Sequence, residues 1–161
     1  MTLVVITGAT RGIGRAAAIE LARRGAEVAL VGREPERVRS VAGEAESSGA
    51  GTPVHQHVAD LTLMSSVRAL AEELRGTYAH IDVLANNAGA LFASRQVTSE
   101  GFERTFALNH LAPFLLTNLL RDRLAGGRVV TTASDAHESG RLDLDDLQSE
   151  KSYSGWRAYG T

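Results

Sequence analysis

The sequence predicts an α/β fold, a doubly wound parallel sheet, on three observations. Five short apolar segments alternate with stretches of helical periodicity. The connections between successive apolar segments are long enough for parallel pairing. A turn with glycine at positions 8, 12 and 14 joins the first apolar segment to the first helical one.

Leu3 to Ile6 is short, rich in β-branched residues and uninterrupted, as strands buried on both faces of a parallel sheet are. A helix follows from Ile13 to Arg24, its inner face read from Ala16, Ala17, Ile19 and Leu21, with Gly25 placed to end it. Glu27 to Val31 is the second strand. Pro35 suits the first turn of a second helix, which runs to about Ser47 and ends in Ser48-Gly49-Ala50-Gly51. Pro53 to Val58 reads as a third strand, Thr62 to about Gly76 as a third helix and Ile81 to Ala85 as a fourth strand. Gly101 to Leu124 carries further helical pattern, interrupted at Pro113, before a fifth strand from Gly127 to Thr132. From Ser134 to Thr161 the chain is polar, with a solvated helix start expected at Asp143, Asp145 and Asp146. It then becomes aromatic at Tyr153, Trp156 and Tyr159, and reads as a loop followed by an unfinished helix.

With 161 residues, 43% hydrophobic and 22% charged, the chain suits one soluble domain spanning 1–161. A net charge of -2 supplies no electrostatic reason to bind nucleic acid or an anionic membrane. The absence of cysteine excludes disulfides, thiolate metal sites and cysteine nucleophiles. The first apolar run is too short for a signal peptide or a membrane span, so a cytoplasmic protein is expected. His55 and His57 share a strand face, but with no third ligand in view they are expected at the surface and no metal site is assigned.

Thr7-Gly8-Ala9-Thr10-Arg11-Gly12-Ile13-Gly14 carries the most chemistry. Glycines here permit positive φ and let backbone N–H groups approach a pyrophosphate, while the helix N-terminus adds about half a positive charge. A plain glycine-rich turn is the bland alternative. A nucleoside triphosphate loop is less favoured still, because Ile13 to Arg15 supply no lysine followed by serine or threonine.

Thr7 to Gly14 matches a TGxxxGxG pattern and Asn86-Asn87-Ala88-Gly89 an NNAG pattern, and the chain thereby resembles the short-chain dehydrogenases/reductases. Leu108-Asn109-His110-Leu111, the run Val129 to His137 and Leu144-Asp145-Asp146-Leu147 carry a finer likeness to the retinol-dehydrogenase-like branch. The resemblance implies a Rossmann sheet of strand order 3-2-1-4-5. It also implies a nicotinamide cofactor held by Gly8, Thr10, Arg11, Gly12, Ile13, Gly14, Arg33, Asp60, Leu61, Asn86, Ala88 and Gly89. Asp60 would contact the adenine; capping the next helix is the lesser alternative for an aspartate there.

Hydride transfer between the nicotinamide and a carbonyl or alcohol leaves the protein one proton to manage. By the resemblance, Tyr159 moves that proton, Ser134 polarises the substrate oxygen and Asn109 orders a proton relay. A lysine four residues after the tyrosine would lower its pKa; from Tyr159 that is position 163, whereas the sequence stops at Thr161. Tyr153, with Arg157 four residues on, is the second choice. The domain is therefore expected to be C-terminally incomplete, lacking the family's last strands and leaving the fifth strand as an apolar edge prone to self-association. A homo-oligomer is possible on the same family grounds. A nucleotide-binding short form or fragment without catalysis is the alternative function.

The cofactor preference is read at the end of the second strand. NAD-selective folds usually carry an acid there for the ribose 2′-hydroxyl, and an arginine accommodates a 2′-phosphate. Here Gly32 is followed by Arg33, and Arg11 lies in the glycine loop, so NADP is favoured over NAD. Glu34 precedes Pro35 and reads as a helix-start residue.

Overall fold

The computed structural model describes residues 1–48 and 51–161. The strands are β1 (Leu3–Thr7), β2 (Glu27–Gly32), β3 (Val54–Val58), β4 (Val83–Asn86) and β5 (Arg128–Thr131). The helices are α1 (Gly12–Arg23), α2 (Pro35–Ser48), α3 (Met64–Thr77), α4 (Arg104–Phe106), α5 (Ala112–Leu119) and α6 (Gly155–Gly160). A π turn (Ala107–Leu111) joins α4 to α5, and a 3-10 turn (Asp135–Ser139) follows β5. All strand pairs are parallel, in the order β3-β2-β1-β4-β5.

Alternate residues of each central strand feed two separate cores. Ile6, Val28 and Leu30 pack against Ala18, Ala22, Val38 and Val41 beneath α1 and α2. Leu3, Val5, Ala29 and Val31 pack against Val67, Leu70, Leu74 and Leu116 beneath α3 and α5. Each fully buried valine or leucine contributes roughly 1.5–3 kcal/mol by leaving water, which is why β1 and β2 read as unbroken apolar runs. From β1 the chain builds outward first toward β3 and then, through β4, toward β5. The reversal opens a crevice at the carboxyl ends of β1 and β4, where such sheets bind ligands.

Several elements depart from the sequence expectation. In α1 the buried face is Gly14, Ala18 and Ala22, four residues apart, and Ala16 is exposed. The small residues made two helix faces look alike. The third helix begins at Met64, not Thr62, because Asp60 Oδ1 accepts from the Thr62 N–H at 3.0 Å and its hydroxyl at 2.8 Å, holding a turn open. Asp60 therefore does not cap α3. Glu100, distant in sequence, accepts from the Met64 and Ser65 N–H groups instead.

The stretch from Gly101 begins as a turn, and α4 starts only where Glu103 accepts from the Phe106 N–H at 2.9 Å. Pro113 does not break the helix; it lies in the first turn of α5. Lacking an N–H, it cannot donate to the Asn109 carbonyl one turn back, and the backbone widens there, with the Ala112 N–H donating to the Ala107 carbonyl. Asp143 to Asp146 form turns and no helix: Asp143 accepts from the Asp145 N–H, and Asp146 from the Glu150 and Lys151 N–H groups. The expected end of α2 at Gly49 and Ala50 lies outside the described residues.

His57 is buried, not at the surface. The Glu73 carboxylate lies 2.7 Å from its Nδ1 and the Tyr78 hydroxyl 3.0 Å from its Nε2, both from α3 or the residue after it. Burial, reinforced by the Glu27 and Glu73 charges, pushes the Tyr78 phenol up to about 12. No helix among the described residues is long and apolar enough to cross a membrane.

Candidate active site

The β1-to-α1 turn is shaped by what its glycines omit. Gly8 has φ +66° and Gly12 φ +51°, the left-handed region where a side chain is strained. A Cβ on Gly8 would lie 2.7 Å from Ala88 Cα, and one on Gly14 would overlap the Gly8 carbonyl. The two loops thus approach backbone to backbone, which only glycine allows.

Thr7 locks that approach. Its buried Oγ1 accepts from the Asn87 and Ala88 N–H groups, both at 3.0 Å, and donates to the Ala85 carbonyl at 3.3 Å. The Asn87 amide donates to the Thr7 carbonyl at 3.0 Å and accepts from the Thr132 hydroxyl at 3.2 Å. Asn86 turns away and donates to Thr117 Oγ1 at 3.0 Å. Both asparagines serve the site: Asn86 lies on the cleft floor, and its neighbour Asn87 ties the glycine loop. In the sequence, the signal for this lock is a hydroxyl directly before a turn glycine.

The crevice is a cleft of about 1210 Å³. Gly8, Arg11, Gly12, Ile13 and Gly14 line one wall, and Asn86, Ala88 and Gly89 line its floor. Asn109, Ser134 and Tyr159 all reach the same cleft. Thr10, Arg33, Asp60 and Leu61 are not part of its wall. Thr10 instead packs at the end of β2, where a Cβ on Gly32 would lie 2.5 Å from its Cγ2 and 2.7 Å from Val38 Cγ2. Leu61 is buried beside Thr7 and Asn86.

Asn109 spends its amide on backbone: Oδ1 accepts from the Ala90 N–H and Nδ2 donates to the Ala90 carbonyl, each at 3.0 Å. It pins the loop that follows β4. Ser134 Oγ accepts from the Ala136 N–H at 3.2 Å and caps the 3-10 turn. That turn packs on α6, where a Cβ on Gly160 would lie 2.7 Å from the Ala136 carbonyl. The glycine seam brings the segments carrying Ser134 and Tyr159 into contact. Tyr153 is different: its hydroxyl donates to the Phe92 carbonyl at 2.8 Å and meets Thr105 Oγ1 at 3.1 Å, and it does not line the cleft.

The cradle fits a dinucleotide. Its glycines leave no Cβ between the β1 and β4 loops, and the N-terminus of the 12-residue helix α1 faces the cleft. A short-chain dehydrogenase family model matches residues 2–144. This chain belongs to the short-chain dehydrogenase family.

Among relatives of this short-chain dehydrogenase, DnrU of Streptomyces sp. (strain C5), proposed to be a daunorubicin C-13 ketoreductase, is 54% identical over 98% of this chain and 55% of its own length. Human retinol dehydrogenase 11 is 41% identical over 98% of this chain and 50% of its own length. The solved structure of a short-chain dehydrogenase from Sphingobium yanoikuyae in complex with NADPH superposes with TM-score 0.78 at 30% identity, covering 99% of this chain and 59% of that one. The chain thus spans about half the length of the curated relatives it matches.

Proposed function

We propose that the chain is the cofactor-binding and catalytic-loop portion of an NADP-dependent oxidoreductase acting on a small carbonyl or alcohol. One observation carries this reading: the glycine loop, Asn109, Ser134 and Tyr159 line a single cleft. When bound, the nicotinamide supplies the hydride chemistry. The residues Gly8 to Gly14 hold the pyrophosphate, and Asn109 positions the Ala88–Ala90 loop against it through the paired hydrogen bonds to Ala90. Ser134 donates a hydrogen bond to the substrate oxygen, and Tyr159 gives that oxygen its proton or takes it in the reverse direction.

NADP is the cofactor this reading favours, for a steric and an electrostatic reason. Gly32 has no room for an acid, since any side chain there meets Thr10 and Val38. Arg33 and Arg11 supply the charge that a 2′-phosphate needs, both more than half exposed. Replacing Arg33 by Asp in the intact protein is expected to weaken NADP binding about tenfold or more while sparing NAD. Measured dissociation constants for the two cofactors decide it, and an unchanged preference would overturn the assignment.

A further inference from the structure

Three guanidiniums meet one carboxylate at the carboxyl end of β2. Glu34 Oε1 lies 3.6 Å from Arg11 Nη2 and 3.9 Å from Arg33 Nη2, while its Oε2 lies 2.7 Å from Arg37 Nε. The arginines come from three places: the residue before α1, the residue after β2 and the first turn of α2. Neighbouring charges are otherwise consumed, with Arg15 paired to Glu44 and Arg39 to Glu36. Among the described residues, only at Glu34 does one carboxylate serve three cations, and the cluster is left two positive charges in excess. All four side chains are between 42% and 66% exposed, so a ligand can reach them.

We propose that Glu34 is a stand-in anion that a ribose 2′-phosphate displaces, and that Arg37 is a third phosphate-binding arginine. The inference rests on the NADP reading above and assigns to it two residues that reading did not use. Before ligand arrives, the carboxylate holds three mutually repelling guanidiniums at one point, so they need little reordering. A phosphate offers three acceptor oxygens and close to two negative charges, and matches the cluster's excess better than a single carboxylate does. A neutral ribose hydroxyl has no charge with which to expel Glu34. The carboxylate therefore discriminates by competition: it opposes every ligand that would take its cations and leaves a bare ribose untouched.

Isothermal titration of the intact protein with adenosine 2′,5′-bisphosphate and with adenosine 5′-monophosphate isolates the phosphate, because the two probes differ by that group alone. Glu34→Gln should tighten the bisphosphate about threefold to tenfold, since it removes a competing charge from a partly exposed site. Arg37→Gln should weaken the bisphosphate by a similar factor. Binding of the monophosphate should change by less than twofold in both variants, which also reports that they are folded. Tighter bisphosphate binding with Glu34→Gln and weaker with Arg37→Gln supports the proposal; any other pattern overturns it. A wild-type protein that binds the two probes equally would instead sink the NADP reading itself. A wild type that prefers the bisphosphate, with both variants unchanged, leaves that reading standing and removes only the roles of Glu34 and Arg37.

Discussion

Thr7 and Ser134 are both hydroxyl residues at the carboxyl edge of the same sheet, Thr7 ending β1 and Ser134 following β5, but they are held in opposite ways. Thr7 is 2% exposed, and its oxygen serves two N–H groups on the loop after β4 and a carbonyl within β4. Ser134 is half-buried, and among the described residues its hydroxyl bonds only to Asp135 and Ala136, within two positions along the chain. The same contrast runs through the tyrosines, where Tyr153 is anchored to Phe92 and Thr105 and Tyr159 faces the cleft. A side chain with all its partners inside the fold builds the cleft; one with partners to spare can do chemistry in it.

The largest test of this contrast is kinetic. In the intact protein, Tyr159→Phe is expected to lower kcat by roughly 10²–10⁴-fold, the usual worth of a positioned proton donor. Tyr153→Phe should leave kcat within a small factor and cost about 1 kcal/mol of stability through its lost hydrogen bonds. Steady-state rates and urea unfolding of both variants give the comparison, and an inactive Tyr153→Phe beside an active Tyr159→Phe would invert it.

A smaller effect separates the hydroxyls. Thr7→Val strands the Asn87 and Ala88 N–H groups and should cost about 1–3 kcal/mol in denaturant unfolding, with weaker cofactor binding. Ser134→Ala should stay within roughly 0.5 kcal/mol of wild-type stability while turnover falls. Equal destabilisation by the two would erase the distinction drawn from their partners.

The smallest expected effect lies at the far edge of the sheet. Tyr78 is held protonated in the folded chain, its pKa moved from 10.0 to about 12. The unfolded chain loses that proton first, so the stabilising contribution is complete below about pH 10 and declines as pH rises toward 12. Thermal melts across that interval should show a steeper fall for wild type than for Tyr78→Phe.

Much of this was legible in the sequence where local pattern and tertiary demand agree. Leu3 to Thr7 and Glu27 to Gly32 are strands because both faces are covered, and the glycine spacing at 8, 12 and 14 marks the turn that only glycine can make. The sheet order follows from the same family resemblance. What was hidden depends on partners far along the chain. Nothing near Met64 announces that Glu100 caps its helix, and nothing near His57 announces the carboxylate and phenol that bury it. Between Asn86 and Asn87, alternation along β4 decides which side chain faces the glycine loop, and the motif alone could not. At Pro113 the lost hydrogen bond is absorbed by a wider turn and not by a break, which local sequence does not signal.

The bonds from Thr7 to Asn87 and Ala88 close loops of 80 and 81 residues. Such closures come late in folding, because the chain must spend its loop entropy before the contacts repay it. The glycine turn therefore has no floor until β4 has docked beside β1, and a half-folded chain has no pocket to offer. A nucleotide that recognises only the finished cradle shifts the balance toward the folded chain, by about 2.7 kcal/mol at a hundredfold excess over its dissociation constant. Supply of the ligand would then set how much of the protein survives as well as how fast it works.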